Sequence, residues 1–190
     1  WLTRFIVTLS TATALFYLYF FLQDGIGLAR DDGTGGGTGL RVSDGVLILT
    51  GVYAVAVFAT VVVAGVISDK IGKRRVFVAA SAVFISIATA LMAFASSFEL
   101  VIVAAIILGL GTGVFTAVDF ALVSQVLPTA SNNGKDIGII NLAIALPNVF
   151  SPIVAAFMVT SLGGYTGLYL LSGVLAIIGG VLVYRIKSVK

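Results

Sequence analysis

The 190-residue chain contains no cysteine and no histidine. Those two absences exclude disulfides, thiol nucleophiles, most zinc and haem sites, and every triad that relies on imidazole. Charge is also scarce. Asp, Glu, Lys and Arg make up 10% of the residues, against about a quarter in a soluble globular domain. The net charge of +3 is small and scattered, without the basic stripe of a nucleic-acid-binding protein, so no nucleic-acid partner is expected. What the chain has instead is apolar surface. Hydrophobic residues account for 59%, and the mean hydropathy is +1.17. Such a chain cannot cover its own core with polar groups, and its solvent is the lipid bilayer.

Charged residues punctuate the chain, which holds six apolar runs, at about 5–22, 45–67, 76–95, 100–122, 137–159 and 165–184. Each reaches the roughly 20 residues that a helix needs to cross a bilayer. Transmembrane strands would alternate polar and apolar residues over about ten positions, which these runs do not. The fold predicted is all-α: residues 1–190 form a single integral membrane bundle of six helices. An even number of spans puts both termini on one side. That side carries Arg4, Lys70, Lys73, Arg74, Arg75, Lys135, Arg185, Lys187 and Lys190, and the other only Arg30 and Arg41. The bias places both termini in the cytoplasm of a multi-pass cell-membrane protein. The first run is too long and its flanks too polar for a signal peptide. Residues 23–44 form an extracytoplasmic loop whose glycines fit neither GxGxxG nor GxxxxGK[ST], so a flexible solvated tether is expected.

The most informative stretch joins the second and third runs: Gly65-Val66-Ile67-Ser68-Asp69-Lys70-Ile71-Gly72-Lys73-Arg74-Arg75. It fits G-x3-D-[RK]-x-G-x-[RK]-[RK] at every specified position. The basic residues anchor the loop at the membrane surface, but an anchor explains neither Asp69 nor the two glycines. Gly65 allows close helix approach, Gly72 suits a turn with positive φ, and Asp69 can accept hydrogen bonds at a helix N-terminus. The pattern resembles the signature loop of the major facilitator superfamily. Residues 117–128 are similar to the end of the tenth helix of bacterial, particularly actinobacterial, members. Residues 134–141, with Ala145-Leu146-Pro147, are similar to the eleventh helix, and residues 184–190 to the C-terminus. On that resemblance the six spans are helices seven to twelve.

The resemblance implies the C-terminal half of a secondary active transporter that moves a small polar or drug-like solute by alternating access. It implies a missing N-terminal six-helix half, in cis or as a second chain, and a conformational latch made of Gly65, Asp69, Lys70, Gly72, Lys73, Arg74 and Arg75. With no histidine, no cysteine and a single carboxylate inside a run, no catalytic residue, cofactor or metal is expected. The alternative is a non-transporting membrane module or accessory subunit that needs a partner half.

Asp119 is the one carboxylate inside a run, and an intramembrane charge is a functional candidate by default. It lies about one turn from the cytoplasmic surface, where it can pair with Lys73 or Arg74 as part of the latch, or it can couple protons. In the fifth run, Asn141 and Asn148 share a helix face beside Pro147 and Pro152. They are candidates for the substrate path, or for hydrogen bonds between helices. Thr8, Thr11, Tyr17, Tyr19 and Gln23 are the polar candidates in and at the end of the first run. The resemblance makes that helix cavity-lining, which favours Tyr17 as a path residue, although a tyrosine near a span end also suits the interfacial belt. Gly109 and Gly113 form a small-xxx-small packing face.

Overall fold

A computed structural model describes residues 2–31, 39–72, 74–126 and 133–183. The elements are α1 (Leu2–Phe16), α2 (Leu18–Phe20), a π-helical turn (Phe21–Gly25), α3 (Val42–Ile71), α4 (Arg74–Ala93), α5 (Phe98–Val126), α6 (Asn133–Ser161) and α7 (Gly164–Leu182). Among the described residues no strand forms, and only an isolated bridge joins Ala29 to Arg41. Helices α3 to α7 are each long and apolar enough to cross a membrane, and α1 with the segment 18–25 makes a sixth, bent by 40°. The all-α membrane bundle expected from hydropathy is the fold observed.

The bend is the main departure within the spans. Residues 5–22 read as one continuous run, yet the helix breaks at Tyr17, whose backbone sits at φ −100° and ψ 11°. Neither proline nor glycine is present there. Beyond the break the segment ends in a wide π turn, closed by the Ile26 N–H on the Phe21 carbonyl. Phe21 is thereby set edge-on to Tyr169 of α7, with ring centres 4.9 Å apart.

Helix α5 packs between α3 and α4, α4 also packs on α7, and α7 on α1, which in turn carries α6. The small residues of α5 make the first of these contacts possible. A Cβ at Gly109 would stand 2.7 Å from the Tyr53 carbonyl oxygen, and one at Gly113 would stand 2.8 Å from that of Val57. Between α1 and α7, the Ser10 hydroxyl donates to the Ser172 carbonyl at 2.6 Å, and both serines are fully buried. In contrast, α1 and α5 do not pack closely on one another. The bundle is thus two groups of three helices with a cleft between α1 and α5.

Two helices present long apolar faces outward. On α3, Leu47, Val55, Phe58 and Val62 are exposed, and on α6, Val149, Ile153 and Phe157. Surfaces this apolar are stable only against lipid or another protein. Helix α6 contains Pro147 and Pro152, and the gap at the second is repaired locally. Pro152 leaves the Asn148 carbonyl without its helical donor, and the Ser151 hydroxyl donates to that oxygen at 3.3 Å.

The flanks of the loop at 23–44 are tied down, whereas residues 32–38, the glycine run expected to be a tether, lie outside the described residues. The Ala29 N–H donates to Leu40 and the Val42 N–H to Ala29. Asp31 accepts the Ser43 N–H at 3.1 Å and the Tyr19 hydroxyl at 2.9 Å, which places a carboxylate on the exposed N–H groups that open α3. Hydrogen bonds from Ser43, its hydroxyl first and its N–H second, hold the Asp31 carboxyl below its ordinary value of 3.8. A lowered folded-state pKa contributes stability above the unfolded value that is lost as pH falls through the lowered one. The tie therefore persists at neutral pH and dissolves only in strong acid. Asp31→Ala is expected to speed amide hydrogen exchange at Ser43 and the first turn of α3 at pH 7, leaving α7 unchanged.

Candidate functional site

Two constellations stand at the end of the bundle where α3 and α5 finish and α1 and α4 begin, here the basic end. The first is the loop 65–75. Gly72 ends α3 in the left-handed conformation, φ 69°, with its N–H on the Ser68 carbonyl at 2.9 Å. A side chain at this φ would be strained, so glycine is the residue the turn needs. Lys70 occupies the last turn of α3, where a cation complements the helix dipole. Asp69 accepts from the Arg74 guanidinium at 3.2 Å, bridging the end of α3 to the start of α4. The aspartate is well exposed, at 66%, and its partner is mostly covered, at 14%. Lys73 lies outside the described residues. At Gly65 a Cβ would meet nothing within 4 Å, so within this bundle that glycine mediates no helix contact. Its open face on α3 explains the difference from the close approach expected there.

The second constellation occupies the α1–α5 cleft. Arg4 Nε lies 2.8 Å from Asp119 Oδ2, with side chains only 11% and 15% exposed. This ion pair links the first turn of α1 to α5 across the cleft, at its basic end. The sequence pointed to Lys73 or Arg74 as the partner of Asp119. The aspartate instead turns inward onto Arg4, and Arg74 engages Asp69. Next to the pair is a cavity of about 220 Å³, lined by Arg4, Thr8, Thr11, Thr112, Phe115, Thr116, Asp119 and Ile144 among others. Farther along the same seam is a second cavity of about 290 Å³, lined by Leu15, Phe16, Leu18, Tyr19, Thr50, Tyr53, Met92 and Leu108 among others. Tyr53, on the wall of the second cavity, sets its hydroxyl against Thr112 of the first.

The threonine hydroxyls have a defined polarity. Thr112 donates to the Leu108 carbonyl and Thr116 to the Thr112 carbonyl, both at 2.8 Å. Thr11 donates to the Val7 or Thr8 carbonyl. With each proton directed back to its own helix, the oxygen lone pairs remain for the cavity. The Arg4 guanidinium is less well served, since its buried Nη1 has no hydrogen-bond partner among the described residues. An unpaired buried donor costs about 1–3 kcal/mol. The ion pair is thus held under a cost that a stronger acceptor, or water, would relieve.

Sequence reasoning found Asp119, Thr8 and Thr11 but missed Arg4, Thr112, Thr116 and Tyr53. In the sequence Arg4 stands out only as part of the charge bias that orients the chain. The signal was nonetheless present, because a lone intramembrane carboxylate needs a counter-charge. Antiparallel spans one and four set the start of one beside the end of the other. The remaining path candidates do not line either cavity. Tyr17 sits half-buried at the helix break, 5.5 Å from the Phe20 ring. Asn141 and Asn148 are exposed on α6, and the Asn148 amide donates to the Ile144 carbonyl at 2.8 Å.

A sequence profile of the Major Facilitator Superfamily matches residues 1–190. Among curated proteins, Uncharacterized MFS-type transporter C18.02 of Schizosaccharomyces pombe (strain 972 / ATCC 24843) is 33% identical over 148 residues, 78% of this chain and 31% of that protein. Multidrug resistance protein 3 of Bacillus subtilis (strain 168) is 27% identical over 122 residues, 64% of this chain and 23% of that protein. The chain thus spans less than a third of the length of either relative.

Proposed function

Because the chain belongs to the major facilitator superfamily, we propose that it acts as the C-terminal half of a secondary active transporter. On this reading the half rocks against an N-terminal six-helix bundle and carries a small polar or drug-like solute by alternating access. The basic end faces the cytoplasm, in line with the distribution of Lys and Arg, and the role is non-enzymatic. The observation that carries the proposal is the α1–α5 cleft. It is largely apolar, yet it holds a mostly buried ion pair beside the Thr8, Thr11, Thr112 and Thr116 hydroxyls, and it runs along a seam that neighbouring helices leave open.

The loop 65–75 acts as the latch of one conformation, with Asp69, Lys70, Gly72, Lys73, Arg74 and Arg75 on the cytoplasmic face and the open face of Gly65 turned to the partner bundle. The exposed carboxylate of Asp69, already shared with Arg74, is the group most available to a second helix end. Asn141 and Asn148 offer amides to the same partner or to the solute, and Tyr17 sits where the first span bends. Protons remain the candidate coupling ion through Asp119.

The test is uptake into proteoliposomes across labelled sugars and amphipathic drugs, comparing this chain alone with the chain co-expressed with its upstream sequence. Uptake only in the combined case is expected. Uptake in neither case would favour an accessory module. Asp69→Asn should lower the rate about two- to fivefold, the range set by an exposed ion pair worth up to about 1 kcal/mol, without reducing membrane insertion. An unchanged rate would remove Asp69 from the latch.

A further inference from the structure

We infer that the α1–α5 cleft selects an amphipathic amine that carries N–H donors, seating its apolar body beside Tyr53 and its ammonium on Asp119 in place of Arg4. The inference rests on the transporter reading and adds the class of solute and the residues that choose it. Two compartments follow one another along the seam. On α1, Arg4, Thr8 and Thr11 line the inner cavity and Leu15 and Phe16 the outer, joined there by Leu18 and Tyr19 of α2; on α5, Thr112, Thr116 and Asp119 line the inner and Leu108 the outer. At about 220 and 290 Å³, each has room for one part of a small organic molecule. Tyr53 stands at the divide, with its ring on the outer side and its hydroxyl against Thr112.

The chemistry of the two ends differs. The outer wall is built from Leu15, Phe16, Leu18, Met92 and Leu108, with the tyrosine rings, and suits an aliphatic or aromatic body. The inner wall presents acceptors. Thr11 and Thr116 have directed their protons to helix carbonyls, and Asp119 is a carboxylate. A head that enters here must bring donors. It must also replace Arg4, and three features make that exchange feasible. The exchange conserves charge at Asp119, since one cation leaves as another arrives. Arg4 holds its place with Nη1 unpaired, so moving to water satisfies a donor that the cleft does not. It stands in the first turn of α1, from which a long side chain can reach the membrane surface.

A quaternary ammonium matches the charge but has no N–H for the threonine oxygens. Sites built on hydrogen bonds to N–H groups reject analogues that lack them. Selection for N–H therefore separates this cleft from one that attracts any lipophilic cation.

The experiment is equilibrium binding of labelled 4-phenylbutylamine, its N,N,N-trimethyl analogue and 4-phenylbutyrate to the purified full-length protein in nanodiscs. The primary amine is expected to bind at least about tenfold more tightly than the trimethyl analogue, and the carboxylate not at all. Thr116→Val, which keeps every charge, should reduce that ratio at least about threefold by weakening the primary amine alone. Tyr53→Leu should weaken both cations equally. Equal affinity for the two cations, tighter binding of the carboxylate, or binding of none overturns the inference. Uptake of other solutes in parallel vesicles separates the two claims. Uptake of a sugar without amine binding would end the inference and leave the transporter reading standing, whereas no uptake of any solute would end that reading.

Discussion

Asp119→Ala alone is expected to destabilise the bundle by about 3–5 kcal/mol, while Arg4→Leu with Asp119→Leu stays within about 1 kcal/mol of the parent or exceeds it. The asymmetry follows from burial. The two side chains are 11% and 15% exposed and only 2.8 Å apart, so each has lost most of its hydration. Removing one leaves the other charged, largely dry and unpaired. Removing both exchanges a pair of desolvated charges for apolar contact. For a chain of this size about 1 kcal/mol corresponds to roughly 2–4 °C, so the single variant should melt about 6–20 °C below the parent in detergent. The measurement is thermal unfolding of the four corners of the double-mutant cycle. Equal losses in the single and double variants would show that the pair is not coupled. If Asp119 serves transport, the double variant should be stable yet inactive, which separates folding from function.

Gly113→Val is expected to cost about 1–3 kcal/mol, the range for overpacking a close-packed site. A side chain there would press on the Val57 carbonyl and the Thr60 Cβ, each 2.8 Å from the first added carbon. A helix backbone cannot rotate out of the way as a side chain can, so α3 and α5 must separate. Gly109, one turn earlier, faces Tyr53 and Ala56 at 2.7 Å, and Gly109→Val should act alike. Gly65→Ala provides the contrast. With nothing within 4 Å of its Cβ, it should leave stability within about 0.5 kcal/mol of the parent. If Gly65 meets the partner bundle, the same change should nonetheless slow transport. A loss of stability at Gly65 as large as that at Gly113 would contradict the packing described.

How much of this was legible in the sequence depends on the range over which each signal acts. Hydropathy sums over about 20 residues and needs no knowledge of neighbours, so the six spans were legible. Gly72 was legible because backbone stereochemistry is local: its φ of 69° follows from the turn itself. Gly109 and Gly113 were legible as a packing face because their spacing of four sets both on one side of α5. The bend at Tyr17 was not, since no proline or glycine marks it, and the Phe21–Tyr169 contact joins residues far apart in the chain. Arg4 and Asp119 were each visible, but their pairing depends on which helices flank the cleft. The Asp31 cap on α3 was hidden for the same reason, its partners Tyr19 and Ser43 lying twelve residues away on either side.

Accessibility of the cleft to water is the most direct test that the solute path runs between α1 and α5. The chain has no cysteine of its own, so Thr11→Cys and Thr116→Cys each introduce a single thiol into it, and Phe157→Cys on the exposed face of α6 serves as the lipid-facing control. A thiol reacts with a charged methanethiosulfonate only where water reaches it. The two cleft variants should be labelled in full-length protein in membranes and protected by a transported solute, with the control inert. If Thr11→Cys and Thr116→Cys are as unreactive as Phe157→Cys, or react without protection by any transported solute, the path does not lie in this cleft.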